Sequence, residues 1–169
     1  MSTNNKIENC LKEGEKGSER HKGLRKIEPN IEKAKGHLAK SIKNFNAITD
    51  FHDMQYSDWS ASAAFYTLYQ GLLSILALNG FESRNQICTF AIIEDLIKEG
   101  KIKELTIKDL KEVFDKSVTE QLEHSDKILD IREEMQYSTK TSLAEQEFQH
   151  LKQKTKNLFD KIRKEIELR

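Results

Sequence analysis

In the stretch KILDIREEMQYSTK, Lys127 to Lys140, an arginine and a tyrosine, Arg132 and Tyr137, stand five residues apart on a charged segment of helical periodicity. An arginine offers a planar fork of donors that holds phosphate or carboxylate charge. Tyr137 adds a ring and a hydroxyl, and Gln136 beside it an amide; neither group exchanges protons near neutral pH. The chemistry on offer is anion recognition rather than proton transfer, and no catalytic residue is assigned.

Other reactive residue types lack the spacing their chemistry needs. His21, His37, His52, His124 and His150 are scattered, with no i, i+4 pair flanking a carboxylate as in a helical metal site, so they read as surface or loop residues. Glu133 with Glu134, and Glu94 with Asp95, are adjacent and point to different sides of a helix, so neither pair converges on one substrate atom. The glycines of EGEKGSERHKG follow no strand, as a phosphate loop would, and read as flexibility. Cys10 and Cys88 form no CxxC pair and read as free thiols in a reducing compartment. Cys88, on an apolar segment, reads as a small buried residue rather than a nucleophile. No metal and no cofactor is expected.

The elements that must position Arg132 are helices. Seven glycines, one proline and few alternating apolar runs in 169 residues predict an all-α chain, an up-and-down bundle of four to five helices in one domain, with no sheet. Residues 1–28, dense in mixed charge, are expected to be a mobile or loosely docked arm, and residues 29–169 the bundle. After Pro29, Asn30 caps a helix to about Asp50 with Ile31, Ala34, Leu38, Ile42, Phe45 and Ile48 on one stripe. SDWSASAAFYTLYQGLLSILALN, apolar or small all round, is the central helix, stopped by Gly80. A third helix runs from about Asn85 to Glu99 with Ile87, Phe90, Ile93 and Ile97 inward, before Gly100. Thr106 and Asp109 open a fourth segment carrying Leu110, Val113 and Phe114 that continues or kinks toward Ile128 and Met135. Ser142 and Glu145 form a capping box for a last helix striped by Phe148, Leu151, Leu158, Phe159, Ile162 and Ile166.

Within the central helix Trp59, Phe65, Tyr66 and Tyr69 recur at helical spacing and read first as core, although Tyr66 and Tyr69 carry hydroxyls that suit a cleft lining. Lys+Arg and Asp+Glu are both 28, so no net field draws the chain to nucleic acid or to an anionic membrane. The apolar run GLLSILALNG is about half a bilayer span, and the first residues lack a signal peptide's apolar centre. The expectation is a cytoplasmic protein without a membrane segment.

Three stretches carry a resemblance: GLRKIEPNIEKAKGHLAKSIKNFNA, YSDWSASAAFYTLYQGLLSILALNGFESRNQ, and IREEMQYSTKTSLAEQEFQHLKQKTKNLFDKIRKEI. Together they resemble the HEPN superfamily of small helical domains. The resemblance implies a helical bundle, commonly a homodimer, often paired with a nucleotidyltransferase in toxin–antitoxin or defence systems, and in many members a metal-independent ribonuclease. The family's ribonuclease signature is an arginine followed, after four to six intervening residues, by a histidine. Here those positions beyond Arg132 hold Tyr137, Ser138 and Thr139, and Gln86 stands after SRN where similar members carry a histidine. The resemblance therefore implies a non-catalytic, dimeric module that binds a partner, a nucleotide or RNA, with Arg132, Gln136, Tyr137, Tyr66, Tyr69 and Arg84 as candidate contacts. The alternative it implies is a ribonuclease with a divergent site. A purely structural Arg132 would instead pair with a carboxylate inside the bundle, Asp58 or Glu134.

Overall fold

The computed structural model describes residues 2–113 and 127–169. In chain order the elements are α1 (Thr3–Lys16), β1 (Leu24–Lys26), α2 (Ile31–Asp53), α3 (Ser57–Leu78), β2 (Phe81–Ser83), α4 (Gln86–Lys98), α5 (Ile107–Val113), α6 (Ile128–Tyr137) and α7 (Glu145–Glu167). The chain is mostly helical, as its composition requires. Local signals set most boundaries. The Asn30 side chain accepts from Lys33 N–H at 2.8 Å, and Asn85 from Cys88 N–H at 3.1 Å. Gly80 and Gly100 follow their helices at φ 81° and 72°, the left-handed region a glycine enters without penalty. Thr106 and Asp109 cap each other, with Thr106 N–H on Oδ2 at 2.9 Å and Asp109 N–H on Oγ1 at 3.1 Å. Phe114, His124 and the link from α5 to α6 lie outside the described residues.

α3 is the hub, packed against α2, α6 and α7. By length and composition it would suffice to cross a membrane, but 72% of its apolar window is buried inside the bundle, which is what a central helix requires. Its seam with α2 is built from small residues every seventh position. Ser60 Oγ donates to Ile48 O at 2.7 Å, Ser74 Oγ to Ala34 O at 2.8 Å, and Ser41 Oγ to Thr67 O between them. Positions 34, 41 and 48 thus face 74, 67 and 60 on an antiparallel partner, all nearly or wholly buried. Small side chains let the helices approach, and each buried hydroxyl finds a carbonyl. α7 crosses α3 at Gly71, where a Cβ would stand 2.6 Å from Ile162 Cγ2.

Four expectations change. The small-residue seam displaces the larger apolar residues, leaving Ile31 62% and Ile42 37% exposed; on α4, Ile87 is 52% exposed. A two-stranded antiparallel sheet is present, pairing Leu24 with Ser83 and Lys26 with Phe81. Cys10 and Cys88 are not free thiols: they form a disulfide joining α1 to α4. The disulfide and the β1–β2 pairing tie residues 3–26, a helix and a strand, to α4 and β2. Arg25 further ties them down, with Nε donating to Gly14 O at 2.7 Å and Nη2 to Gly17 O, carbonyls at the end of α1. Finally, α7 starts at Glu145, with Glu147 accepting from Ala144 N–H at 3.2 Å, so the Ser142–Glu145 box does not form. Glu145 instead meets His52 Nε2 at 2.8 Å.

Candidate functional site

Between the N-terminal half of α3 and α6 lies a pocket of about 330 Å³, lined by Asp58, Trp59, Ser62 and Tyr66 from α3 and by Arg132, Met135 and Gln136 from α6. The α3 residues are spaced by three and four, and the α6 residues likewise, so each helix turns one stripe toward the pocket.

Arg132 is its centre. The guanidinium carbon lies 4.7 Å from the centroid of the Phe65 ring and 5.6 Å from that of Tyr66. Stacking on two rings offers attraction of roughly 0.5–2 kcal/mol for each contact. Nη1 donates to the Tyr66 hydroxyl at 3.3 Å, while Nε is buried without an acceptor. No carboxylate comes within ion-pair distance of Arg132 among the described residues. Glu134 turns the other way, to Lys140 Nζ at 3.1 Å. Asp58 lines the same pocket, with no ion pair or hydrogen bond of its own among the described residues. Among the described residues Arg132 is thus not paired with a carboxylate. Its fork retains donors that nothing in the described chain accepts.

The structure brings together Arg132, Gln136 and Tyr66 of the six candidates and separates the other three. Tyr137 is 79% exposed; five residues along a helix is about 140° around the axis from Arg132, away from the pocket side. Tyr69 is buried, shares a hydrogen bond with Thr89 Oγ1 at 3.1 Å and stacks on Phe65 at 5.7 Å; burial raises its hydroxyl pKa. It therefore backs the ring that carries Arg132. Arg84 belongs to a different groove, of about 220 Å³, with Lys33, His37, Phe81 and Glu82. There Glu82 Oε1 gathers Lys33 Nζ at 3.1 Å, Arg84 Nε at 3.6 Å and the buried His21 Nε2 at 3.9 Å.

Trp59 corrects the core reading of the central aromatics, since it is 58% exposed at the pocket. Its ring touches only the edge of the bundle, 6.4 Å from Phe51. Ser62, Met135 and Asp58 were not selected from the sequence as ligand contacts. The signal for Asp58 and Ser62 is the i, i+4, i+8 series 58, 62, 66, legible once Tyr66 is known to face a cleft, and for Met135 its place three residues after Arg132. The histidines are not uniformly superficial either. His21 is buried, its Nδ1 accepting from Gly23 N–H at 3.3 Å, and desolvation lowers its pKa. His37, half-buried against Gln70 at 2.7 Å, is lowered by the same cause. His52 stacks on Phe148 at 3.8 Å, and its hydrogen bond to Glu145 raises its pKa.

Set against known proteins, the chain matches no family model, no curated protein and no solved structure.

Proposed function

We propose that this chain is a non-catalytic recognition module, a HEPN-like helical bundle whose α3–α6 pocket captures an anionic group on Arg132. The observation that carries the reading is the guanidinium itself: stacked on Phe65, held by Tyr66, and without a carboxylate partner among the described residues. A cation fixed by rings rather than by a counter-ion keeps its donors for an incoming phosphate or carboxylate. Trp59 and Gln136 on the same lining offer a stacking face and an amide, which suits a nucleotide or the nucleotide-bearing surface of a nucleotidyltransferase partner in a toxin–antitoxin pair. Among the described residues the lining holds no histidine, and the reading assigns Arg132 to binding rather than to proton transfer.

Trp59 is the chain's single tryptophan and serves as an internal reporter. Titrating ATP, and separately inorganic phosphate, should change its fluorescence, with ATP affinity falling at least about tenfold in Arg132→Ala, the loss of one charge-assisted contact. Arg84→Ala, in the other groove, should leave the titration unchanged. An Arg132→Ala curve that overlays wild type refutes the pocket. RNA incubated with the protein should stay intact; cleavage that disappears in Arg132→Ala would establish the ribonuclease alternative instead.

A further inference from the structure

The α3–α6 pocket holds charges of both signs that do not meet. Arg132 anchors one end through Tyr66 and Phe65. Asp58 lines the same pocket from the first turn of α3, just over two turns before Tyr66 and roughly 12 Å back along the axis. Neither has an oppositely charged partner among the described residues. The two helices run antiparallel here, since Arg132 meets Tyr66 while Leu143, beyond the end of α6, donates its N–H to Ser57 Oγ at 2.8 Å. Met135 and Gln136, one turn on from Arg132, therefore lie between it and Asp58, as Ser62 does on the α3 wall. Trp59, next to Asp58 in the chain, is 58% exposed and lends a ring face to that end.

Two opposite charges left apart in one pocket are complementary to a ligand that brings both, an anion for Arg132 and a cation for Asp58. A pure polyanion satisfies the guanidinium but meets Asp58 as a like charge. An ordinary α-amino acid carries its two charges on one carbon, so its ammonium stays beside Arg132. The order along the pocket is guanidinium, thioether, then carboxylate and indole, which matches a carboxylate joined to a distant cation by an aliphatic stem. We propose that the pocket takes the basic residue at the C-terminus of a polypeptide, a lysine with a free α-carboxylate. Its carboxylate seats in the Arg132 fork, its methylenes lie on Met135, and its ammonium reaches Asp58 over the Trp59 ring. Because the α-nitrogen of a chain terminus is an amide, it sets no second cation against Arg132, and a peptide end fits better than free lysine. The inference rests on the reading of Arg132 as an anion anchor and identifies what the anion belongs to.

Titrating the full chain with the tripeptide Gly-Gly-Lys should give a saturable change in Trp59 fluorescence, checked by calorimetry. Gly-Gly-norleucine, which lacks the ammonium, and the C-terminal amide of Gly-Gly-Lys, which lacks the carboxylate, should each bind at least about tenfold more weakly, the loss of one charge-assisted contact. These comparisons alter only the ligand, so they do not depend on a variant folding. Asp58→Asn, its fold checked by circular dichroism, should weaken Gly-Gly-Lys by the same factor. It should bind inorganic phosphate at least as tightly as wild type, because a neighbouring negative charge is gone. Norleucine and lysine peptides that bind alike overturn the proposal, and so does an Asp58→Asn variant that keeps its affinity for Gly-Gly-Lys or loses phosphate in equal measure. Free L-lysine binding as tightly as Gly-Gly-Lys overturns the peptide source. If no peptide binds while ATP still acts on Trp59 through Arg132, the anion anchor stands and the C-terminal lysine is refuted. Peptide binding indifferent to Arg132→Ala refutes the anchor itself.

Discussion

Breaking the Cys10–Cys88 bond should cost this protein a substantial share of its stability without changing its fold. The bond closes a loop whose ends are 78 residues apart. In the chain-entropy account, a loop of that length removes unfolded-state freedom worth about 4.5 kcal/mol at 25 °C. Residual structure in the unfolded chain lowers the return, so about 3 kcal/mol is the working figure. At roughly 2–4 °C per kcal/mol for a chain of this size, the melting temperature should fall by about 10 °C. The perturbation is made two ways, by refolding the wild type under reductant and by Cys10→Ala/Cys88→Ala. Thermal unfolding followed by far-ultraviolet circular dichroism reads both. The native spectra should match the oxidised protein, because Arg25 still holds the end of α1 and β1 still pairs with β2. The two perturbed proteins should melt together. A melting temperature unmoved by reduction refutes the reasoning, and two thiols that alkylate in the native, unreduced protein refute the bond itself.

Gly71→Ala should destabilise by about 1–3 kcal/mol in urea, the cost of forcing a methyl into a filled space, because its Cβ would meet Ile162 Cγ2. Combined with Ile162→Ala, the two costs should sum to less than additivity predicts, and strict additivity would show that the helices do not touch there. Nuclear magnetic resonance titration should find His21 below and His52 above the ordinary value of 6.5. Because burial disfavours the protonated form of His21, stability falls as pH drops below 6.5 and through its folded value. His52 contributes below 6.5 and loses that contribution as pH rises through its folded value; Glu145→Gln should return it toward 6.5, and no movement would disprove the pairing.

What the sequence made legible was mostly local. Asn30, Asn85, Gly80, Gly100 and the Thr106–Asp109 box act within a turn of the chain, so their identity suffices to place helix ends. The central helix was legible because a segment without a polar face has to be surrounded. On α2 the inward stripe holds at Ala34, Leu38, Phe45 and Ile48 but not at the exposed Ile31 and Ile42, while close approach buries Ser41, which apolar size does not select. Docking of residues 3–26 depends on a disulfide partner 78 positions away and on a three-residue strand too short to show a period. At the site, Arg132 was picked out by residue type alone. Its bond to Tyr66 and its seat on Phe65 come from bringing together helices 66 positions apart in the chain. Tyr137, chosen for nearness in sequence, stands about 140° around α6 from Arg132 and outside the pocket lining.

The α2–α3 seam has a consequence for motion. Its hydroxyl-to-carbonyl bonds recur every seven residues, so sliding one helix along the other restores them only after a step of about 10.5 Å. Smaller shifts would strand buried hydroxyls between carbonyls, each at about 1–3 kcal/mol. The two helices therefore respond to a load as a single strut. α6, the ten-residue wall of the pocket opposite that strut, takes no part in these seam bonds.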